Sequence, residues 1–137
     1  MSERCNKGEI MDKDWKMVYD AAKAIVNPKK ISNQICSGGV GAAVVTKNGN
    51  IYTGVCIDTD CSLGMCAERN AISTMITNGE FEIKMAAAVD KKGNVLPPCG
   101  ACREFLMQLK NSEKIEVLAD NNGTVVKLKD LMPYSYS

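Results

Sequence analysis

The sequence predicts an α/β domain, one mixed sheet of about five strands with helices packed on it. Three observations lead there. Helical and strand-like hydrophobic patterns alternate along the chain in the order α-β-β-α-β-α-β-β-α, as expected for layered strands and helices. The 137 residues suit one domain, taken here as a single unit over 1–137. The composition, 45% hydrophobic and 24% charged, suits a buried core with a solvated exterior.

Residues 1–11 carry no periodicity and are read as a ragged end. A helix is expected over 13–26, where Trp15, Val18, Tyr19, Ala22, Ile25 and Val26 recur at helical spacing. Asp12 or Asp14 can cap it, and Pro28 closes it. Residues 27–39, rich in Ser, Asn and Gly, read as a loop. Residues 40–46 and 51–57 are strand-like, joined by Lys47-Asn48-Gly49-Asn50, whose Asn-Gly pair favours a tight hairpin turn. After a loop over 58–64, a helix over 65–77 stops at Asn78-Gly79. Residues 83–89 read as a buried strand. Pro97 and Pro98 precede a helix over 99–110. Strands over 115–119 and 124–128 flank a turn at Asn121-Asn122-Gly123, and a short helix covers 128–132. Hairpins give antiparallel neighbours and helical crossovers give parallel ones, hence the mixed sheet.

Composition removes several functions. The net charge is +1 and the pI about 7.5, whereas a dedicated nucleic-acid binder is usually far more basic, so no nucleic-acid partner is expected. No apolar run reaches the roughly 18–20 residues of a membrane span, so no membrane partner is expected. Met1 to Lys16 is polar and mixed in charge, unlike a targeting segment, which makes the cytoplasm the expected location. The chain has no histidine, which excludes a His base or a His metal ligand. It has seven cysteines, Cys5, Cys36, Cys56, Cys61, Cys66, Cys99 and Cys102. An odd count without a secretory segment favours a metal site or reduced thiols over a disulfide framework.

Two segments carry chemistry, Cys66-Ala67-Glu68-Arg69 and Pro98-Cys99-Gly100-Ala101-Cys102-Arg103, each at the start of an expected helix. The Cys99/Cys102 spacing suits a zinc claw, and equally a redox pair. Cys66 supplies a third thiolate. Three ligands leave a fourth tetrahedral position open, as in catalytic zinc, whereas Cys61 is the candidate fourth ligand if the site is structural. An ion between two helix N-termini would have Glu68 beside it rather than bound to it. Three thiolates give a zinc centre a net charge of −1, which weakens its power to acidify water. Helix dipoles, and Arg69 or Arg103 donating to ligand sulfurs, would offset part of that charge. Glu68 can then carry protons between water and substrate.

These motifs resemble the zinc-dependent cytidine deaminase superfamily, in its small homotetrameric cytidine deaminase and blasticidin S deaminase forms. Val40-Gly41-Ala42-Ala43, the following hairpin, Cys66 to Ile72, Pro98 to Arg103 and Leu131-Met132-Pro133 match in order over nearly the whole chain. The resemblance implies a three-layer α/β/α fold with helices on both faces of a five-stranded sheet, and a homotetramer in pyrimidine salvage. It assigns one Zn²⁺ per chain to Cys66, Cys99 and Cys102, the proton shuttle to Glu68, and a thiolate partner to Arg69. The activity implied is hydrolytic deamination of cytidine, deoxycytidine or a related cytosine nucleoside to the uridine analogue. Blasticidin S, another modified pyrimidine nucleoside, or a zinc-stabilised binding role without turnover are the alternatives.

The pocket positions depart from the family pattern. Gly38-Gly39 stand where Phe-Pro is usual, Cys56-Ile57-Asp58 where Asn-x-Glu binds ribose, and Glu104 where Gln is usual. Cysteine is a poor hydrogen-bonding partner, so weaker ribose recognition is expected. Cys56, Asp58, Ala67, Tyr134 and Tyr136 are the candidate substrate-binding residues, the two tyrosines matching the aromatic ending of blasticidin S deaminases.

Overall fold

A computed structural model describes residues 11–136. Residues 1–10, with Cys5 and most of the expected ragged end, lie outside the described residues. Three helices are present among those described, α1 (Lys13–Ala24), α2 (Ala67–Thr77) and α3 (Gly100–Met107). They accompany six strands, β1 (Lys29–Lys30), β2 (Ile35–Thr46), β3 (Ile51–Thr59), β4 (Ile83–Asp90), β5 (Glu116–Leu118) and β6 (Val125–Lys127). The expected short helix is a single 3₁₀ turn, Leu128–Leu131.

Apart from the two-residue β1, the strands lie in the order β3-β2-β4-β5-β6. Only β4 and β5 are parallel neighbours; the other pairs are antiparallel. The crossover through α3 therefore gives the parallel pair expected of it. The crossover through α2 leaves β3 and β4 pointing the same way with β2 between them. The sixth strand was not expected. Residues 27–39, read as a loop, contain β1 and the first residues of β2. Cys36 pairs with Lys30 on one edge of β2 and with Asp58 on the other. Ile35-Cys36-Ser37-Gly38-Gly39 has no alternating apolar face, so its pairing leaves no periodic signal. The turn before it is shaped by the Ser32 hydroxyl, which accepts from the backbone N–H groups of Gln34 and Ile35.

Side-chain alternation along the central strands divides the core in two. Ala42, Val44, Ala86 and Ala88 face one side and pack with Ala71, Ile72 and Met75 of α2 and Leu106 of α3. Ala43, Val45, Ala87 and Val89 face the other and pack with Trp15, Val18 and Ala22 of α1. The result is the three-layer arrangement implied by the resemblance. The small alanines bring the helix backbones close to the sheet. Asp12 starts α1 by accepting the Asp14 backbone N–H at 2.8 Å.

Helix α2 is fixed at two places, which matters because it begins at Cys66. Gly54 of β3 lies under its middle, and a Cβ there would stand 2.4 Å from the Ala71 nitrogen. At its far end Glu80 accepts from Asn48 Nδ2 at 3.2 Å, Asn50 Nδ2 at 2.8 Å and the Tyr52 hydroxyl at 2.8 Å. The hairpin therefore clamps the helix.

Gly54→Ala should push α2 off the sheet and cost about 1–3 kcal/mol in urea unfolding, the scale of overpacking against atoms that cannot move aside. A neutral substitution would show that the helix slides freely. The Glu80 carboxyl is held below its ordinary 4.5 by the Thr46 hydroxyl first, then by Asn50 and Tyr52. A carboxyl depressed by folding stabilises the fold above its unfolded pKa and loses that effect as pH falls through the folded value. Stability should therefore decline as pH drops below about 4.5, and Glu80→Gln should flatten that decline. Acid-unfolding curves of equal slope would detach Glu80 from it.

Candidate active site

Helices α2 and α3 begin at one point. Cys66 and Cys99 occupy their N-cap positions in extended backbone, and neither thiol caps its own helix. The two Sγ atoms instead face each other at 3.4 Å. Cys102, in the first turn of α3, brings a third sulfur from below, and all three lie within 4.8 Å of one another. The approach to Cys99 is pinned to the fold. The Leu96 N–H donates to Ala88, and Asn121 accepts from the Val95 N–H at 2.8 Å and donates to the Gly93 carbonyl at 2.9 Å.

The donor set fits zinc. Sulfurs about 2.3 Å from a tetrahedral ion lie about 3.8 Å apart, close to the spacing present. Among the described residues no other Cys, His, Asp or Glu completes a fourth protein ligand. Cys61, the sequence candidate for that role, is exposed in the loop before α2, outside the cluster. Burial pushes the Cys102 thiol up, and the neighbouring Glu68 carboxylate adds to this. Burial opposes ionisation of Cys99 too, but the Cys102 backbone N–H and the Cys66 thiol bring its pKa below the ordinary value. A divalent cation would displace the remaining protons.

Glu68 is 7% exposed, with Oε1 3.7 Å from Cys102 Sγ. Burial raises its pKa, partly opposed by a backbone hydrogen bond, Cys102 and Arg69. The Arg69 Nη2 lies 3.8 Å from Cys66 Sγ, while its Nε is buried without a partner. Arg103, the other expected thiolate partner, does not reach a sulfur. Its Nε donates to the Pro98 carbonyl at 2.8 Å and its Nη1 to Leu131 at 3.1 Å. It ties the start of α3 to the 3₁₀ turn near the end of the chain.

A cleft of about 540 Å³ opens on the sulfurs. Cys56, Asp58 and Ala67 line it, as expected for substrate contacts. Tyr134 and Tyr136 do not; both are fully exposed in the single chain. Met65, Leu96 and Pro97 line it without having been singled out, because apolar residues in loops carry no periodic or chemical signature. The Cys56 sulfur accepts the Val40 N–H at 3.3 Å, which leaves only its weak S–H to meet a sugar hydroxyl. The Val40 contact sits in a bulge where the β2–β3 register shifts between Ser37 and Gly41. Within this bulge Gly38 has φ +86°, and a Cβ on it would meet the Asn27 carbonyl at 2.1 Å. That backbone path has no room for the aromatic residue of the family pattern.

Residues 16–118 match a family model described as the cytidine and deoxycytidylate deaminase zinc-binding region. A cytidine deaminase of Mycobacterium tuberculosis is 30% identical over 131 residues, 91% of each chain. A blasticidin-S deaminase of Bacillus cereus is 33% identical over 109 residues, 72% of this chain and 76% of that one. The crystal structure of cytidine deaminase from Mycobacterium leprae superposes with a TM-score of 0.74 at 27% identity, covering 89% of this chain and 99% of the other.

Replacing Cys66, Cys99 or Cys102 by Ser should lower zinc content after dialysis from one ion per chain, while Cys61→Ser should retain it. Metal analysis of the four variants checks this. Loss of zinc from the Cys61 variant would point to a closed structural site.

Proposed function

Because the chain belongs to the cytidine and deoxycytidylate deaminase zinc-binding family, we propose that it is a hydrolase that deaminates cytosine nucleosides, cytidine or deoxycytidine, to their uridine analogues with release of ammonia. The observation that carries this is a buried carboxyl, Glu68, set against three clustered sulfurs, two of which, at Cys66 and Cys99, line an open cleft. Cys66, Cys99 and Cys102 would hold one zinc ion, which supplies Lewis acidity to activate a water.

The chain's own residues do the rest. Ala67, Val40 and Ala88 line the cleft with apolar surface suited to a flat pyrimidine ring, whose C4 would face the sulfurs. Glu68 would take one proton from the attacking water and deliver it to the ring nitrogen N3, then take the second from the resulting C4 hydroxyl and deliver it to the departing amino group. Its raised pKa suits a group that must both accept and donate. The C4–N bond breaks and a C4 carbonyl remains. Arg69 offsets thiolate charge at Cys66. The Bacillus cereus relative favours a second reading on the same chemistry, with blasticidin S or another modified cytosine nucleoside as substrate.

A single domain over 1–137 is supported by the one continuous sheet. A homotetramer is supported by the resemblance and by the exposed Ile76 and Phe105 flanking a groove between α2 and α3. A cytoplasmic role in pyrimidine salvage accords with the same reading. Among the described residues no helix is long and apolar enough to cross a membrane.

Glu68→Gln keeps the shape but cannot accept the proton. It should retain zinc and lose at least about 10²–10⁴-fold in kcat for cytidine, followed by the ultraviolet change on deamination. Near-normal turnover would remove Glu68 from the mechanism.

A further inference from the structure

Arg103 is the charged side chain of the second cysteine motif that the proposed reaction leaves without a task. It makes no ion pair among the described residues. Its donors go to two carbonyls, Nε to Pro98 at 2.8 Å and Nη1 to Leu131 at 3.1 Å. Its backbone N–H donates to the Cys99 carbonyl at 2.9 Å. One residue therefore holds the carbonyl before the Cys99 Cα and the carbonyl after it.

The approach to Cys99 has few other holds. Pro97 and Pro98 have no N–H, so their carbonyls are the only backbone groups by which that stretch can be fixed. The last N–H before them, at Leu96, is bonded to Ala88. The Pro98 carbonyl and the Cys99 nitrogen belong to one planar peptide, and the Cys99 Cα lies in the same plane. With that plane held, only rotation about the Cys99 N–Cα bond, at φ −70°, and the side-chain torsion separate it from the thiol. Pro98 itself is buried and lines a small hollow together with Glu68.

The other side of the guanidinium reaches a distant part of the chain. Leu131 ends the 3₁₀ turn Leu128–Leu131. Leu128 anchors that turn by its fully buried side chain and by its N–H bond to Ile115 at 3.0 Å. The guanidinium is a rigid planar fork, so it ties the position of the Pro98 carbonyl to that of the Leu131 carbonyl.

Resting on the reading of Cys66, Cys99 and Cys102 as a metal site, we propose that Arg103 is a positioning residue for that site. It sets the place of Cys99 through the Pro98 carbonyl, and it makes that placement depend on the turn Leu128–Leu131.

The test loads the full chain with Co²⁺, whose thiolate charge-transfer and d–d absorption reports ligand geometry, and follows metal release to excess EDTA. Arg103→Met, which keeps the length and removes the donors, should alter the d–d bands and speed release about 10-fold, the scale of one hydrogen bond from a charged donor. Arg103→Lys, which keeps the charge without the fork, should also release faster than the unaltered protein. Leu128→Ala should speed release in the unaltered protein and add nothing in the Arg103→Met background. Val18→Ala, which weakens the core on the opposite face of the sheet, should leave bands and release rate unchanged. If Arg103→Met does not fold, Arg103→Lys takes its place in both comparisons. Bands and release rate of an Arg103 variant equal to those of the unaltered protein, equal acceleration by Val18→Ala, or additive effects of Leu128→Ala and the Arg103 variant would overturn the proposal while leaving the metal site intact. Absence of thiolate-to-cobalt absorption in the unaltered protein would overturn the metal-site reading and the proposal with it.

Discussion

Three sulfurs within 4.8 Å of one another repel as soon as they ionise, and the rest of the structure is arranged around making that cluster tolerable. Two helices begin at the cluster, so backbone N–H groups and the positive ends of two dipoles face it. Arg69 adds a formal positive charge at Cys66. These lower the electrostatic cost of gathering three thiolates around a divalent ion. With them, a divalent ion finds ligands whose charge is already partly answered.

The sheet explains how two helix starts come to the same place. Strands β3 and β4 run the same way, and each leads into a helix whose N-terminus lies beyond its carboxyl end. Clefts in α/β sheets form at such ends. The strand between them, β2, runs the opposite way, so its own beginning lies at the same edge. That is why Gly39 and Val40, distant in sequence from Cys66 and Cys99, line the same cleft. The closeness of α2 to β3 over Gly54, and the clamp that Glu80 provides at the far end, transmit the sheet's geometry to the position of Cys66 and Glu68.

Much of this was legible in the sequence because it was carried by chemistry or by long periodic elements. The spacing of Cys66, Glu68, Cys99 and Cys102 reads directly, and so do α1, α2 and the central strands. The start of β2 did not, since its pairing is a backbone property and its side chains carry no pattern. The motif offers Arg69 or Arg103 as donor to a ligand sulfur, and Arg103 follows Cys102 by one residue. On a helix that step turns the side chain about 100° away, and it reaches the Pro98 and Leu131 carbonyls instead. Tyr134 and Tyr136 are expected at the cleft from the resemblance to the aromatic ending of blasticidin S deaminases, and in the single chain they stand in solvent. The bulge at Gly38 was visible only as a missing Phe-Pro. Its cause, the Asn27 carbonyl, lies eleven residues upstream and could not be read without the fold.

The three sulfurs differ in depth: Cys99 is exposed, Cys66 half-buried and Cys102 fully buried. Of the three sulfurs that would hold an ion, Cys99 and Cys66 face the cleft 3.4 Å apart, and Cys102 lies beneath them. A chelator competing for the ion would have access to the Cys99 and Cys66 side and not to Cys102. The same gradient directs oxidative damage, because an oxidant reaches Cys99 and Cys66 first, and they lie side by side. The depth of Cys102 thus makes the site's retention of its ion a matter of rate as well as of affinity.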